Sequence, residues 1–174
     1  MIRTILACAL LLFAQTPARP SRPPDIFFAA TPQRIVTAML QLAAVTSDDI
    51  VYDLGSGDGR VVILAAQRFG ARGVGIEIDP QLVARSRQLA REAGVGDTVT
   101  FIEGDFYQAD LSQATVVTMW LSPRINEELA PKLRRELQPG ARIVSHQFRM
   151  GEWMPDEQVT IDGEQVFLWK VPPR

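Results

Sequence analysis

Residues 51–60 read VYDLGSGDGR, and this stretch decides the fold. A short apolar run leads into three glycines at alternate positions from Gly55 to Gly59, with Asp53 before them and Asp58 among them. A glycine-rich turn between a strand and a helix is a typical nucleotide site of α/β sheets, because backbone N–H groups and the helix N-terminus point into the crevice. The sequence therefore predicts a ligand site at this turn.

The charge of the glycine turn narrows the choice of ligand. The dinucleotide fingerprint GxGxxG needs a glycine where this chain has Arg60. A pyrophosphate would also lie beside Asp53 and Asp58, and like charges in a partly dry cleft cost several kcal/mol at an effective dielectric of about 20. A cationic ligand reverses the sign of this interaction. We therefore predict S-adenosylmethionine, which carries a sulfonium and an ammonium group.

Two further acids follow predicted strands. Glu77 ends the second strand, 22 residues after Gly55, where an acid can accept hydrogen bonds from both hydroxyls of a ribose. Asp105 lies just beyond the third strand, where an acid can accept from an adenine amine. Each acid alone could be a solvated residue at a strand end. Together with Asp53, they favour an adenosine site along one edge of the sheet.

Helical and strand patterns alternate from Ile26 onward, which predicts an α/β fold with a mostly parallel sheet and helices on both faces. Helices are expected over 32–45 and 60–69, after Asp79-Pro80, and from Ser122-Pro123 to Leu137. Strands are expected over 50–54, 73–78, 98–104, 115–121 and 141–148.

Details of three helices and a hairpin can also be predicted. Thr31 is expected to cap the first helix, and Pro131 should kink or split the fourth. The buried face of the third helix is expected to carry Leu82, Ser86, Leu89 and Ala93. Asp162-Gly163 separates two apolar runs and predicts a C-terminal antiparallel hairpin.

Composition fits one globular domain. The 174 residues are 47% hydrophobic and 22% charged, and the net charge of −2 indicates no basic surface for nucleic acid. Cys8 is the only cysteine and His146 the only histidine, so we expect neither a disulfide framework nor a metal site.

The first 25 residues have a different composition from the domain that we place at 26–174. MIRT carries one positive charge, ILACALLLFA is an apolar run of ten, and QTPARPSRPPD is rich in proline. This layout is typical of a secretory signal cleaved near Ala14 or Ala18, or of an uncleaved membrane anchor. We expect an exported or membrane-associated protein. A cytoplasmic location, a misplaced start site and an ordinary disordered tail are the alternatives.

Several motifs carry a resemblance to a known family. DLGSGDGR, GIEID and EGD resemble the first three motifs of class I S-adenosylmethionine-dependent methyltransferases. TPQRIVTAML, ATVVTMWLSP, LAPKLRREL and ARIVSHQF are similar to the small protein-lysine methyltransferases, which include a broad-specificity archaeal enzyme and mitochondrial enzymes acting on the ATP synthase c-subunit and the adenine nucleotide translocase. The resemblance implies a Rossmann-like, seven-stranded sheet with an antiparallel final strand. Relatives often carry a Val-Pro stretch ahead of the first helix, whereas this chain has IFFAATPQ.

The resemblance implies roles for individual residues. The cofactor-binding candidates are Thr31, Gln33, Asp53, Gly55, Ser56, Gly57, Asp58, Glu77, Asp105 and Phe106. The catalytic candidates are Trp120, Ser122 and His146, and no metal is expected. Trp120 could line an alkyl channel or simply pack in the core, and His146 could assist proton removal or be a structural imidazole. Arg60 is interpreted as a helix-start residue whose stem covers apolar surface.

The turn after the fourth strand bears on the acceptor. Methyltransferases of amide and adenine nitrogens resemble one another in an Asn/Asp-Pro-Pro-aromatic turn, whereas this chain has WLSP at 120–123. Amide and base acceptors are therefore disfavoured. The resemblance to the small protein-lysine methyltransferases implies a protein-lysine N-methyltransferase whose partner is a protein bearing an acceptor lysine. A small-molecule methyltransferase and a nonenzymatic S-adenosylmethionine-binding module are the alternatives.

Overall fold

The computed structural model describes residue 23 and residues 28–173. The predicted signal or anchor, with its cleavage points at Ala14 and Ala18, lies outside the described residues. No helix in the described part of the chain has the length and apolar character that a membrane span requires.

Four helices and seven strands make up the described part of the chain. In chain order they are α1 (Gln33–Leu42), β1 (Ile50–Leu54), α2 (Arg60–Phe69), β2 (Arg72–Glu77), α3 (Pro80–Glu92), β3 (Val99–Glu103), β4 (Val116–Met119), α4 (Pro123–Glu136), β5 (Arg142–His146), β6 (Glu157–Ile161) and β7 (Glu164–Lys170). All of them begin and end within three residues of the predicted bounds, where bounds were predicted.

The seven strands form one sheet in the order β3-β2-β1-β4-β5-β7-β6. The first five strands in the chain are parallel to one another, whereas β7 runs antiparallel to β5 and β6 runs antiparallel to β7. The predicted Rossmann-like sheet with an antiparallel C-terminal hairpin is confirmed. The strand order reverses between β1 and β4, and α/β sheets bind their ligands in the crevice at such a reversal.

Successive side chains of a strand point to opposite faces of the sheet, so the apolar core is divided between the two faces. Val51 of β1 and Val116 of β4 pack with α1, α2 and α3, while Leu54 and Val117 face the side covered by α4. All four side chains are fully buried. The prediction of helices on both faces is confirmed, and the carboxyl ends of β1 and β4 are fixed side by side.

Two helices begin with a side-chain cap at the residue pairs where the sequence predicted their starts. Asp79 accepts a hydrogen bond from Gln81 N at 2.8 Å, and Ser122 Oγ accepts from Ile125 N at 3.3 Å. The prediction that Thr31 caps α1 is wrong, because Pro32 is the N-cap residue and makes no side-chain cap. The ψ of Pro32 is 140°, which is extended rather than helical, so the helix begins one residue later.

Two further predictions concern the helices. Pro131 does not split α4, which runs unbroken from Pro123 to Glu136, so that part of the prediction is wrong. Pro131 is exposed, so the hydrogen bond that it cannot donate is lost on the solvent side of the helix. The predicted buried face of α3 is confirmed at Ser86, which is fully buried, and at Leu89 and Ala93, which pack against the core while partly buried. The buried line also includes Val83 and Ala90, which were not predicted.

Candidate active site

The glycine turn connects β1 to α2 in left-handed backbone. Gly55, Gly57 and Gly59 have φ values of 72°, 53° and 79°, which glycine adopts without steric conflict. A Cβ atom on Gly57 would lie 2.3 Å from the ring of Phe28, and one on Gly55 would lie 2.9 Å from Leu121 Cδ2. The turn therefore forms a concave surface, here called the glycine cradle, and side chains at its glycine positions would fill it.

Glu77 stabilises the glycine turn through a backbone hydrogen bond. Its Oε2 accepts a hydrogen bond from Gly57 N at 2.8 Å, while its Oε1 accepts from Ile78 N and Asp79 N at 2.8 and 2.9 Å. Only 7% of the residue is exposed. A carboxylate oxygen can accept two hydrogen bonds, so Oε2 retains capacity for a ligand hydroxyl. The structure thus brings Glu77 to the glycine turn, and its contact with a ribose stays a prediction.

Asp53 is a buried acid at the end of β1. Thr118 Oγ1 donates a hydrogen bond of 2.7 Å to its Oδ1. Burial raises the pKa of Asp53 to about 7, and the charges of Glu77 and Asp58 add to this effect while the Thr118 hydrogen bond opposes it. A cation placed beside Asp53 would favour its charged form, so the site selects for positively charged ligands.

Asp58 differs from Asp53 because it has a cationic partner. Arg60 donates to both of its carboxylate oxygens, with Nη2–Oδ2 and Nε–Oδ1 distances of 2.6 and 2.9 Å. Burial raises the pKa of Asp58, but the hydrogen bonds and charge of Arg60 outweigh burial and hold the pKa below its usual value. Arg60 Nη1 also donates to Thr31 O at 2.9 Å. Arg60 begins α2, as interpreted from the sequence, and its guanidinium in addition holds Asp58 and the segment before α1.

A cleft opens above the glycine turn. Its walls come from the segment before α1, from β1 and the turn, and from the end of β4, and they include Phe28, Thr31, Asp53, Gly55, Ser56, Asp58, Arg60, Met119 and Trp120. Ser56 Oγ is buried and has no hydrogen-bond partner among the described residues. The Ser56 hydroxyl can bind a carboxylate, and the acids Asp53 and Asp58 can bind a cation or hydroxyls. A ligand that combines a carboxylate, hydroxyls and a cation therefore fits the cleft, and S-adenosylmethionine has this set of groups.

Five predicted cofactor residues are not part of this cleft lining, and two of them, Gly57 and Glu77, belong to the glycine turn or hydrogen-bond to it. Gln33 is exposed and lines a groove between α1, α2 and α3 instead. Asp105 Oδ1 accepts a hydrogen bond from Tyr107 N at 2.9 Å, and Phe106 is buried on the α4 side of the sheet. The β2–β3 pairing nevertheless keeps Asp105 near Glu77, because Gly104 N donates to Glu77 O at 2.9 Å.

The other wall of the site is aromatic. The Trp120 ring lies 4.5 Å, centroid to centroid, from the ring of His146, whose side chain is fully buried. His146 Nε2 lies 2.6 Å from Glu164 Oε2, and His146 Nδ1 has no partner among the described residues. Burial lowers the pKa of His146, and Glu164 only partly opposes it. The imidazole is therefore neutral at pH 7 and donates from Nε2 to Glu164.

Sequence reasoning missed three residues of the site. Thr118 and Glu164 contact predicted residues, and Phe28 covers the glycine turn. Thr118 could have been found from the β1–β4 register, since it pairs with Asp53 across the sheet. Ser122, a catalytic candidate, uses its hydroxyl to cap α4 and does not line the cleft. No group of three or more metal-binding side chains occurs among residues 28–173.

Comparisons with known proteins bear on this site. The sequence profile of the ANTKMT methyltransferase domain matches residues 53–157. A protein-lysine N-methyltransferase of Saccharolobus islandicus is 42% identical over 140 residues, which are 80% of this chain and 87% of that protein. An ATP synthase c-subunit lysine N-methyltransferase of Xenopus laevis is 36% identical over 140 residues, and this chain spans 59% of its length.

A solved structure matches most of the chain. It is described as an RNA methyltransferase from Salinibacter ruber in complex with S-adenosyl-L-homocysteine, and it superimposes with a TM-score of 0.83 at 53% sequence identity. The match covers 84% of this chain and 95% of that one. The sequence prediction of an S-adenosylmethionine-dependent methyltransferase is thereby confirmed, and the chain belongs to the ANTKMT methyltransferase family.

Proposed function

We propose that this protein is an S-adenosylmethionine-dependent protein-lysine N-methyltransferase. The observation that carries the proposal is the 42% identity to a protein-lysine N-methyltransferase of which this chain covers 87%. The aromatic wall beside the glycine turn supports it, because an indole face attracts an alkylammonium group and its apolar surface packs against the lysine stem.

The chain offers a complementary group for each part of the cofactor. Because Gly55 N, Ser56 N, Gly57 N and Gly59 N donate within the protein, the Ser56 hydroxyl, which has no partner in the described part of the chain, is the donor that would meet the carboxylate. Asp53 would face the ammonium, and Glu77 would accept from the ribose hydroxyls. Asp105 would accept from the adenine amine. When bound, S-adenosylmethionine supplies an electrophilic methyl group, so the protein needs no nucleophile of its own and must only bind, align and desolvate.

The acceptor lysine must lose a proton before it can react. With a reference pKa near 10.4, deprotonation at pH 7 costs roughly 4 to 5 kcal/mol. Apolar walls at Trp120 and Leu121 lower the lysine pKa by desolvation, and water carries the proton away. His146 is no general base in this proposal, because its Nε2 is already bonded to Glu164 and its side chain is fully buried.

RNA is the second candidate acceptor, because the Salinibacter ruber structure is described as an RNA methyltransferase. RNA binding draws most of its affinity from cations that contact phosphates. Near the cleft, Arg60 is paired with Asp58, and Arg34 with Asp162 and Glu164. These ion pairs, together with the net charge of −2, favour a protein acceptor.

The test is a labelling assay with methyl-labelled S-adenosylmethionine and three acceptor pools: lysate proteins, total RNA and small metabolites. We expect protease-sensitive label that amino-acid analysis assigns to methylated lysine, at a rate that rises with pH. RNase-sensitive label, label on glutamine or arginine, or label confined to metabolites contradicts the lysine assignment. Cofactor binding without transfer to any pool supports the nonenzymatic module instead.

We further propose that the protein is exported or associates with a membrane through residues 1–25. The support is the sequence pattern alone, a short basic start followed by ten apolar residues. Cell fractionation followed by N-terminal sequencing tests this proposal. An intact Met1 on a protein in the soluble cytoplasmic fraction contradicts it.

A further inference from the structure

Gln147, the residue after β5, has unusual backbone geometry. Its φ is 65°, in the left-handed region that residues with a side chain rarely adopt. Phe148 N donates to His146 O at 2.9 Å, which closes a three-residue turn around Gln147. Turns of this kind with positive φ are rare and strained.

Neighbouring groups hold the strained turn in place. Gln147 N donates to Gln165 O of β7 at 2.7 Å, and Asn126 Nδ2 of α4 donates to Phe148 O at 3.0 Å. Two other described residues besides glycines have positive φ, Ala44 and Asp162. Ala44 follows the C-cap of α1 and Asp162 forms the β6–β7 turn, whereas Gln147 follows β5 and contacts Trp120 of the cleft wall. Strain of this kind is retained mainly at functional sites.

The strained turn places the carboxamide of Gln147 beside the cleft. Trp120 Nε1 donates to Oε1 of Gln147 at 3.4 Å, and Nε2 of Gln147 donates to Glu164 Oε2 at 3.5 Å. Both contacts are longer than the usual hydrogen-bond distance of about 2.9 Å. They orient the exposed amide but leave it able to form further hydrogen bonds. Because Trp120 lines the cleft, the amide lies next to the wall that an acceptor would approach.

We propose that Gln147 is a specificity-determining residue whose Oε1 accepts a hydrogen bond from the acceptor amine and thereby orients the amine lone pair. The inference rests on the proposed function. In the reaction the lone pair of the deprotonated amine forms the new N–C bond, the C–S bond breaks, and its electron pair passes to sulfur. A neutral amide suits this task, because a second carboxylate in addition to that of Glu164 would further stabilise the protonated, unreactive lysine.

Three variants test the proposal. Gln147→Met keeps the side-chain length but removes the amide, Gln147→Gly removes both the amide and the strain, and Ala44→Gly relieves strain far from the cleft. The readouts are the melting temperature, the Kd for S-adenosylhomocysteine by calorimetry, and kcat and KM on the lysate protein that wild-type enzyme labels most strongly.

We expect both Gln147 variants to lower kcat about tenfold or more with unchanged Kd, and the two glycine variants to melt at or above the wild-type temperature. Ala44→Gly should keep full activity. Wild-type kcat in Gln147→Met, or in a folded Gln147→Gly, overturns the role of Gln147. If the wild-type label is not on lysine, the proposed function itself fails, whatever these variants do.

Discussion

Thr118 on β4 donates a hydrogen bond of 2.7 Å to Asp53 on β1, and both residues are buried at the carboxyl end of the sheet. Since the pKa of Asp53 is about 7 in the folded chain and near 3.8 when unfolded, the folded state binds the extra proton between these values. Asp53 therefore contributes a destabilisation that grows as the pH rises from about 4 to about 7 and persists above that range.

Asp53→Asn should separate stability from ligand binding. Asparagine keeps the acceptor for Thr118 and removes the buried charge, so we expect the free energy of unfolding at pH 8 to rise by a few kcal/mol. The gain should vanish near pH 4. Affinity for S-adenosylmethionine should fall about tenfold or more, because the cation loses its partner. Urea unfolding and calorimetry measure the two effects, and a less stable variant at pH 8 contradicts this account.

Cofactor binding by the wild type should depend on pH in the same range. A cationic ligand favours ionised Asp53, so affinity should increase from pH 5.5 to pH 7.5 and binding should release a proton. Calorimetry in two buffers with different ionisation enthalpies counts that proton. In Asp53→Asn both the pH slope and the proton release should be lost, and their persistence would assign the titration to another group.

Gly57→Ala should damage the cofactor site specifically. The φ of Gly57 is 53°, and an added Cβ would come within 2.3 Å of Phe28. Gly140→Ala is the matched control, because Gly140 has a φ of 84° with nothing within 4 Å of an added Cβ. Both variants should lose about 1 kcal/mol of stability through backbone strain. Only Gly57→Ala should weaken cofactor affinity, which calorimetry measures. Equal affinities in the two variants would show that the glycine cradle does not bind the cofactor.

Trp120→Ala should reduce turnover more than cofactor affinity, because its indole forms the acceptor wall. Trp153→Ala is the control. Trp153 packs against Arg134 and Trp169 rather than in the cleft, so this change should alter stability without changing kcat. Steady-state kinetics on the labelled protein substrate give kcat for each variant, and calorimetry gives its Kd for the cofactor. A Trp120→Ala enzyme with unchanged kcat and weaker cofactor binding would place Trp120 in the adenosine site.

Arg142→Met should lower stability without touching the active site. Arg142 forms an ion pair with Asp49 and donates to Ala43 O at 2.8 Å, at the end of the sheet opposite the glycine turn. Removing one partner of a buried pair costs about 3 kcal/mol. Burial raises the pKa of Asp49, but its hydrogen bonds to Thr115, Thr46 and Arg142 outweigh this and lower it. The contribution of Asp49 is present above about pH 4 and lost at lower pH. Urea unfolding at pH 7, compared with cofactor Kd, checks this separation.

Local signals in the sequence predicted the strands and the edge of the sheet where the site lies. Asp53 and Glu77 could be placed because each ends an apolar run, and parallel strands bring such ends together. The partner of His146 could not be found in this way. Glu164 lies 18 residues further along the chain, and the two meet only because β7 pairs with β5.

The wrong predictions concern positions where tertiary packing competes with local preference. Thr31 has the chemistry of a helix cap, yet it is buried in the cleft wall, where its carbonyl accepts from Arg60. Pro131 disfavours a helix, but its place on the exposed side of α4 leaves the buried line of Ile125, Leu129 and Leu133 intact. Neither outcome is encoded within a few residues of the position itself.

The insertion of β7 between β5 and β6 has a consequence for biosynthesis. Phe167 and Trp169 of β7 are among the largest fully buried side chains, and they complete the core beneath α4. Until residue 170 has left the ribosome, β5 remains an unpaired edge strand beside an open apolar core. Nascent chains at this stage are exposed to aggregation and proteolysis, so chaperone capture should matter most before β7 is available to pair with β5.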